Sequence, residues 1–342
     1  MSSVKKCLVW DLDNTLWEGV LLEGSFRLRR EVVETIAELD HRGILHSIAS
    51  RGDEDLAMAA LRENRLDGFF LVPQINWFAK SQNILTISKK LQISLDAIAF
   101  IDDEPFEREQ VAYMLPSVLT IASEKAQELP DRAEFSPGEI TREAEHRRHF
   151  YRAEIRRDLA EREYATREDF LLSCKMQLTV RPMTGDDIPR VLELMTRTHQ
   201  LNTTGLIWDR TALVEAFHGR PGGTAVMVGE LRDRFGWYGI IGTAIMDTMQ
   251  SSWRLKYLAV SCRVMGRGIE RAFLASLVHT ALGRGNTSPE AEFRDTGKNR
   301  MMRALYQMMG FTATGETGDA GTLIFRARPD WLPDIPRWVE VL

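Results

Sequence analysis

The sequence predicts two domains, an α/β domain built on a parallel sheet covered by helices, followed by a smaller-stranded α+β domain. Three observations carry this reading. The chain has 342 residues, more than one ordinary domain of roughly 150. As far as Thr120, short apolar runs alternate with helical patterns, the rhythm of a parallel sheet whose ligands lie beyond the carboxyl ends of its strands. Beyond Phe170, three successive strand-like runs precede a helix, which points to an antiparallel sheet.

Each element follows from local pattern. Cys7 to Trp10 is an apolar run ending at a carboxylate, Arg30 to Leu39 has helical spacing, and Gly43 to Ala49 is apolar again. Helices are expected at Asp53 to Glu63 and Ser81 to Leu91, and a strand at Ala97 to Ile101, ending at Asp102-Asp103. Glu128 to Glu139 is rich in Pro, Asp, Ser and Gly and reads as a linker. From Thr141 to Glu168, eight arginines and seven acids alternate in sign, the pattern of a solvated connecting helix laced with ion pairs. Strands are then expected at Met176 to Met183, Thr224 to Leu231, Tyr238 to Met246, Trp253 to Ser261, near Ala291 and at Leu323 to Arg326. Helices are expected at Asp186 to Gln200, Ile269 to Leu282 and Asn299 to Met309. The predicted domains are residues 1–140 and 171–342, joined by a charged connecting helix over 141–170.

Composition narrows the function. A chain that is 44% hydrophobic and 27% charged is globular, not collagenous, coiled-coil or disordered. With 44 basic and 49 acidic residues, the net charge of −5 offers no basic field to a nucleic acid or an anionic membrane. No run reaches the ~18 apolar residues of a membrane span. Asp11 stands four positions after Cys7, which leaves no room for a signal-peptide core. Three scattered cysteines, Cys7, Cys174 and Cys262, fit neither a disulfide framework nor a zinc ribbon. A reduced, cytoplasmic protein is expected.

The chemistry of the first domain is expected at its strand ends. Asp11 and Asp13 in Asp11-Leu12-Asp13-Asn14-Thr15 are two residues apart, which puts both carboxylates on one side of the emerging chain, able to share a divalent cation. Oxygen donors favour Mg²⁺ over zinc. The motif resembles the DxDxT signature of the haloacid-dehalogenase-like (HAD) phosphohydrolases. Their other elements follow in order as Ser50, Lys80 and Asp102-Asp103. The resemblance makes Asp11 the nucleophile that forms an aspartyl-phosphate and Asp13 the acid and base. It gives Ser50, Lys80 and Thr15 the phosphoryl oxygens, makes Asp11, Asp13 and Asp102 the Mg²⁺ ligands, and leaves Asp103 in support. Backbone donors at Asn14 and Thr15 are expected to face the phosphate. Only 34 residues separate Thr15 from Ser50, and 29 separate Ser50 from Lys80, so a cap domain is absent or minimal.

In the second domain a strand leads through Ser261-Cys262-Arg263-Val264-Met265-Gly266-Arg267-Gly268 into a helix. This Arg-x-x-Gly-x-Gly loop, with the Asn299 to Phe311 block, resembles the Gcn5-related N-acetyltransferase (GNAT) fold. There the loop holds the pyrophosphate of coenzyme A, and the pantetheine arm lies beside the splayed fourth strand. Arg263, Gly266 and Gly268 are therefore expected to bind phosphate. Cys262, beside Arg263 and a helix start, sits where a nucleophilic sulfur is favoured. Cys7 and Cys174 read as packing.

Taken together, Cys7 to Trp17, Phe100 to Arg108, Gln200 to Gly205 and Ser261 to Val264 make the chain similar to the FkbH-like family over nearly its whole length. The resemblance implies a Mg²⁺-dependent enzyme of polyketide pathways. Such an enzyme dephosphorylates D-1,3-bisphosphoglycerate and loads the glyceryl unit as a thioester onto the phosphopantetheine arm of an acyl carrier protein. Cys262 would carry the acyl group, with His199 a candidate base and the carrier arm entering where coenzyme A lies in an acetyltransferase. The Arg142 to Arg157 stretch is a candidate dock for an acidic carrier. Two other readings stay open, a stand-alone HAD phosphatase and an acyl-CoA-dependent acyltransferase.

Overall fold

The computed structural model describes residues 4–136, 139–218, 223–249, 252–283, 285, 288–318, 321–328 and 332–342. The chain divides into two compact units, Met1–Ile155 and Arg156–Leu342.

The first unit contains β1 (Cys7–Trp10), β2 (Trp17–Glu18), β3 (Arg27–Leu28), α1 (Arg30–His41), β4 (Leu45–Ser50) and α2 (Glu54–Glu63). It continues with β5 (Gln74–Ile75), α3 (Lys80–Leu91), β6 (Ile98–Asp102), α4 (Pro105–Met114) and β7 (Leu119–Ala122). The five-stranded sheet has the order β5-β4-β1-β6-β7 and is parallel throughout. β1 is central and buried on both faces, which is why it reads as an unbroken apolar run. Its residues alternate between two cores. Leu8 and Trp10 pack with Ile36, Ile48 and Phe135, while Cys7 and Val9 pack with Ile84, Ile87, Phe100 and Val111. Burial pushes the Cys7 thiol up to about 12, so it stays protonated and serves packing. The β2–β3 hairpin is the insert between Thr15 and α1, and no cap domain interrupts the described residues.

Two expectations fail here for physical reasons. The segment expected as a linker is folded as far as it is described: Leu129 and Phe135 are fully buried in the first core, on 3₁₀ turns Ser123–Asp131 and Ala133–Phe135. Pro137 and Gly138 of that segment lie outside the described residues. The charged stretch is three helices, α5 (Arg142–Glu145), α6 (Arg147–Glu161) and α7 (Arg167–Cys174), and not one solvated rod. The unit division falls within α6. Its arginines are spent on their own units. Arg148 makes paired bonds of 2.8 and 3.0 Å to Asp40 and lies over the Phe69 ring, and Arg147 and Arg152 donate to the Gly43 and Asp67 carbonyls. In the second unit Arg157 is 4% exposed and pairs with fully buried Asp233 at 2.7 Å, over the Tyr238 ring. A guanidinium on an apolar stem can bury in this way when a carboxylate meets it, and alternating signs alone do not reveal that. Arg142 and Arg156 of the stretch are exposed.

The second unit continues through β8 (Met176–Pro182), α8 (Ile188–Arg197), α9 (Arg210–Phe217), β9 (Thr224–Asp233), β10 (Gly236–Met249), β11 (Ser252–Val260) and α10 (Ile269–Gly283). It ends with β12 (Glu290–Phe293), α11 (Arg300–Met308), β13 (Phe311–Thr317), β14 (Leu323–Ala327) and β15 (Val339–Val341). Its eight-stranded sheet has the order β13-β14-β12-β11-β10-β9-β8-β15. It is mixed, not purely antiparallel, because β11 with β12 and β8 with β15 run parallel. Phe273 of α10 lies against the sheet where Gly242 leaves room, since a Cβ there would come within 2.8 Å of the ring. β11 and β12 pair only at Arg254–Glu290 and Leu255–Ala291, and then part.

Candidate active site

The sheet of the first unit gathers four of the expected residues at its carboxyl end. Asp11 follows β1, Ser50 ends β4, Asp102 ends β6, and Lys80 opens α3. All four are buried. The Lys80 ammonium bridges two strands, donating to Asp11 Oδ1 at 2.7 Å and to Asp102 Oδ2 at 2.5 Å. The Ser50 side chain stands beside Asp11 and favours its charged form. Burial raises the Asp11 carboxyl to about 7, with Asp102 adding to the rise and Lys80 and Ser50 opposing it. Burial alone would lower Lys80, but the two carboxylates outweigh it and hold the ammonium above the ordinary lysine value. Asp103 is raised as well, first by burial and then by Asp102. The other Asp102 oxygen accepts from Glu104 N at 2.8 Å, and Arg108 ties down the Asp102 and Asp103 carbonyls.

The structure departs from expectation beside this cluster. Asp13 does not join it. Its Oδ1 accepts from the Trp17 indole at 2.7 Å and from Leu21 N at 3.1 Å, so the loop turns the carboxylate toward the β2–β3 hairpin. Period-two spacing holds only inside a strand, and β1 ends at Trp10. Among the described residues the carboxylates that could share a cation are Asp11, Asp102 and Asp103, with ligand oxygens within 4.8 Å of one another. The donors expected from Asn14 and Thr15 are also committed elsewhere, Asn14 N to Gly19 O and Thr15 N to Leu12 O. Asn14 takes a left-handed φ of 52° to make this turn, and its side chain accepts from Gly19 N. Thr15 is fully buried, and its hydroxyl accepts from Asp103 N at 3.1 Å, which fastens the β1 loop to the β6 loop. It ties together the two loops that carry the cluster. Among the described residues, the N–H groups of Leu12 and Asp13 are the ones this turn leaves unbonded.

Three buried or half-buried carboxylates stand against one ammonium, so the cluster is short of positive charge, which adds through Asp102 to the rise that burial causes in Asp11. A set of hard oxygen donors fits Mg²⁺, which Asp11, Asp102 and Asp103 would hold. Exposed aromatics flank these residues in the chain. Trp77 is 71% and Phe78 67% exposed on the turn before Lys80, and Phe106 is exposed at the start of α4. Asn76 stiffens that turn, since its N–H donates to Ser50 O and its side-chain oxygen accepts from Phe78 N and Asn83.

In the second unit, Cys262 is exposed one residue after the Ser261 that follows β11, on a 3₁₀ turn Cys262–Val264. Helix α10 starts seven residues later, so no helix start adjoins the thiol. Gly266 and Gly268 take φ of 76° and 74°, and Gly268 lies against Pro336, whose Cγ a Cβ would meet at 3.1 Å. Arg263 turns inward to Ser261 and the Tyr238 carbonyl, and Arg267 to the Tyr238 hydroxyl. Glu270 stands in the first turn of α10, where a pyrophosphate was expected. Its carboxyl is raised by burial, and its Oε2 is buried without a hydrogen bond. His199 is exposed just past α8, and among the described residues no hydrogen bond joins it to Cys262.

The gap between β11 and β12 is filled by the chain itself. Val260 N donates to Leu201 O, Thr203 N donates to Leu258 O, and the Thr203 hydroxyl accepts from Leu258 N. On the other side Arg294 N donates to Thr203 O. Asn299 donates to the Asn202, Thr203 and Arg294 carbonyls. The Gln200 to Gly205 motif thus includes a buried plug on the β11 edge where the carrier arm was expected.

No family model matches the chain, and no curated protein matches it. Solved structures do. The N-terminal part of a Bacteroides fragilis protein containing a phosphatase domain, complexed with Mg, is 32% identical over 39% of this chain and 39% of that one, with a TM-score of 0.34. The chain thus spans about two fifths of that structure. The Escherichia coli ribosomal-protein-S18-alanine N-acetyltransferase is 18% identical over 44% of this chain and 94% of that one, with a TM-score of 0.35. A putative acetyltransferase of Salmonella typhimurium with its cofactor acetyl-CoA is 18% identical over 45% and 94%, with a TM-score of 0.34. The strand orders above define the fold class directly, an α/β unit on a five-stranded parallel sheet followed by an α+β unit on an eight-stranded mixed sheet.

Sequence reasoning missed three groups at these sites. The plug was invisible because its bonds are backbone bonds over long separations. The Arg51–Glu107 pair joins residues 56 apart, bonded at 2.9 Å. Glu270 was legible, since a Glu two positions after the last glycine already argues against a bound pyrophosphate.

Proposed function

We propose that the chain dephosphorylates D-1,3-bisphosphoglycerate and passes the glyceryl unit, through a thioester on Cys262, to the phosphopantetheine thiol of an acyl carrier protein. The observation that carries the phosphate half is the Lys80-bridged pair Asp11 and Asp102, with Asp103 beside it. Bound Mg²⁺ supplies charge neutralisation for the phosphoryl oxygens. Asp11 attacks phosphorus, forming an O–P bond as the ester oxygen leaves. Asp13, whose Oδ1 is held by Trp17 and Leu21, has Oδ2 left to give a proton to that oxygen and then to take one from the water that cleaves the aspartyl-phosphate. Lys80 and Ser50 orient the nucleophile, and the N–H groups of Leu12 and Asp13 receive phosphoryl oxygens.

The acyl half rests on Cys262, the exposed cysteine of the three. Its sulfur attacks the acyl carbon, the thiol proton passes to solvent, a C–S bond forms, and the C1 phosphate leaves with the C–O electrons. The carrier thiol then displaces Cys262 by the same kind of exchange. Glu270, with its Oε2 buried in the first turn of α10 where a pyrophosphate would lie, disfavours an acyl-CoA-dependent reaction, and because the splay is plugged the carrier thiol reaches exposed Cys262 from outside that gap. The test is one incubation with bisphosphoglycerate, Mg²⁺ and holo carrier protein, read by intact mass. Asp11→Asn should leave the ester phosphate on the acyl adduct, and Cys262→Ala should abolish the adduct on the enzyme. An undiminished adduct on Cys262→Ala would sink the thioester step.

A further inference from the structure

We infer that Arg51, steered by Glu107, reads a second anionic group on the phosphoester, a carboxylate or a phosphate a few atoms from the ester oxygen. This deepens the phosphatase reading and rests on it for the position of the transferred phosphoryl group. Arg51 directly follows Ser50, which touches Asp11. Three acidic residues stand close to it in sequence, at the cap and first turn of α2, yet its guanidinium pairs with Glu107 Oε1 at 2.9 Å in the first turn of α4. α4 follows β6 and Arg51 follows β4, and these strands flank β1, which delivers Asp11. The pair therefore joins the two sides of the mouth.

The burial of the pair is unequal. Arg51 is 46% exposed at its side chain, while Glu107 is 8% exposed with its Oε2 buried and unbonded. An ion pair made only for stability would not leave a buried carboxylate oxygen without a donor, a loss that hydrophobic residues of similar size would avoid. The arrangement anchors the guanidinium through one nitrogen, and among the described residues no hydrogen bond uses the other N–H donors of this half-exposed side chain. A planar fork of donors suits a carboxylate or phosphate bonded through two oxygens. Glu107 is the positioning residue and Arg51 the specificity-determining one.

The test compares 3-phosphoglycerate with glycerol 3-phosphate, three-carbon phosphoesters that differ by the carboxylate, using the full chain with Mg²⁺. Turnover and calorimetric binding are both measured. The wild type is expected to favour 3-phosphoglycerate at least about tenfold in kcat/KM and in Kd, a usual size for one charge-assisted contact. Arg51→Gln should collapse that ratio toward one, Arg51→Lys should keep part of it, and Glu107→Gln should lower it mainly through KM. A wild type that treats both esters alike, or an Arg51→Gln that weakens both equally, overturns the inference and leaves the phosphatase reading standing. Binding with an Arg51-dependent preference but no turnover of either ester upholds the inference and sinks the phosphatase reading. Binding of neither ester overturns both.

Discussion

Lys80 and His46 are both buried in the first unit, and their surroundings treat charge in opposite ways. Lys80 is held charged by the two carboxylates it bridges. Lys80→Met would leave the buried carboxyls of Asp11 and Asp102 facing each other without their ammonium, so urea unfolding should show a loss of about 3–5 kcal/mol, the usual cost of breaking a buried pair. Saturating Mg²⁺ should restore part of it, and an unchanged midpoint would count against the bridge. His46 is held neutral. Burial lowers its imidazole to about 4, and the Trp10 indole donates to Nδ1, which an imidazolium could not accept. A depressed histidine contributes stability that is complete above its unfolded value near 6.5 and is lost as pH falls toward 4. The loss should total roughly 3 kcal/mol across that window. His46→Phe should flatten the stability profile there by up to one proton, and a profile identical to wild type would refute the assignment.

At the scale of elements, the sequence was most legible where one strand or helix decides its own burial. β1, α1, α3 and α10 lie where periodicity puts them, and Asp11, Ser50, Lys80 and Asp102 meet because a parallel sheet brings its strand ends together. Legibility stopped where partners are distant. Nothing local marks Leu201–Thr203 as a segment bridged to β11 through Asn202 and Ala259, or Arg157 as a buried residue paired with Asp233. The plug depends on Asn299, whose amide donates to three carbonyls while its oxygen accepts from Thr296 N. Asn299→Asp keeps the shape and turns the donor into an acceptor facing three others. It should cost at least ~2–3 kcal/mol in thermal or urea unfolding. With the plug in place the wild type should bind coenzyme A no more tightly than about millimolar by calorimetry. Micromolar binding by the wild type would mean that the plug leaves readily.

For the whole molecule, each unit closes its own cores: Phe100, Phe135 and Trp10 belong to the first, and Phe273, Phe293 and Phe325 to the second. A chain of this kind is not expected to unfold in one step. Any ligand of the Asp11, Asp102 and Asp103 set binds only the folded first unit, so its effect should appear in one transition alone. Scanning calorimetry with Mg²⁺ at 100 times its Kd should raise that transition by the equivalent of about 2.7 kcal/mol and leave the other in place. Asp11→Asn should blunt the Mg²⁺ shift without moving the second transition, because Asp11 supplies one of three carboxylates in the first unit and none in the second. Equal shifts in both transitions would show that helix α6, which runs through the division at Ile155, couples the units into one cooperative structure. The phosphate and acyl steps would then have to be tested for dependence on each other, with Asp11→Asn read for its effect on acylation of Cys262.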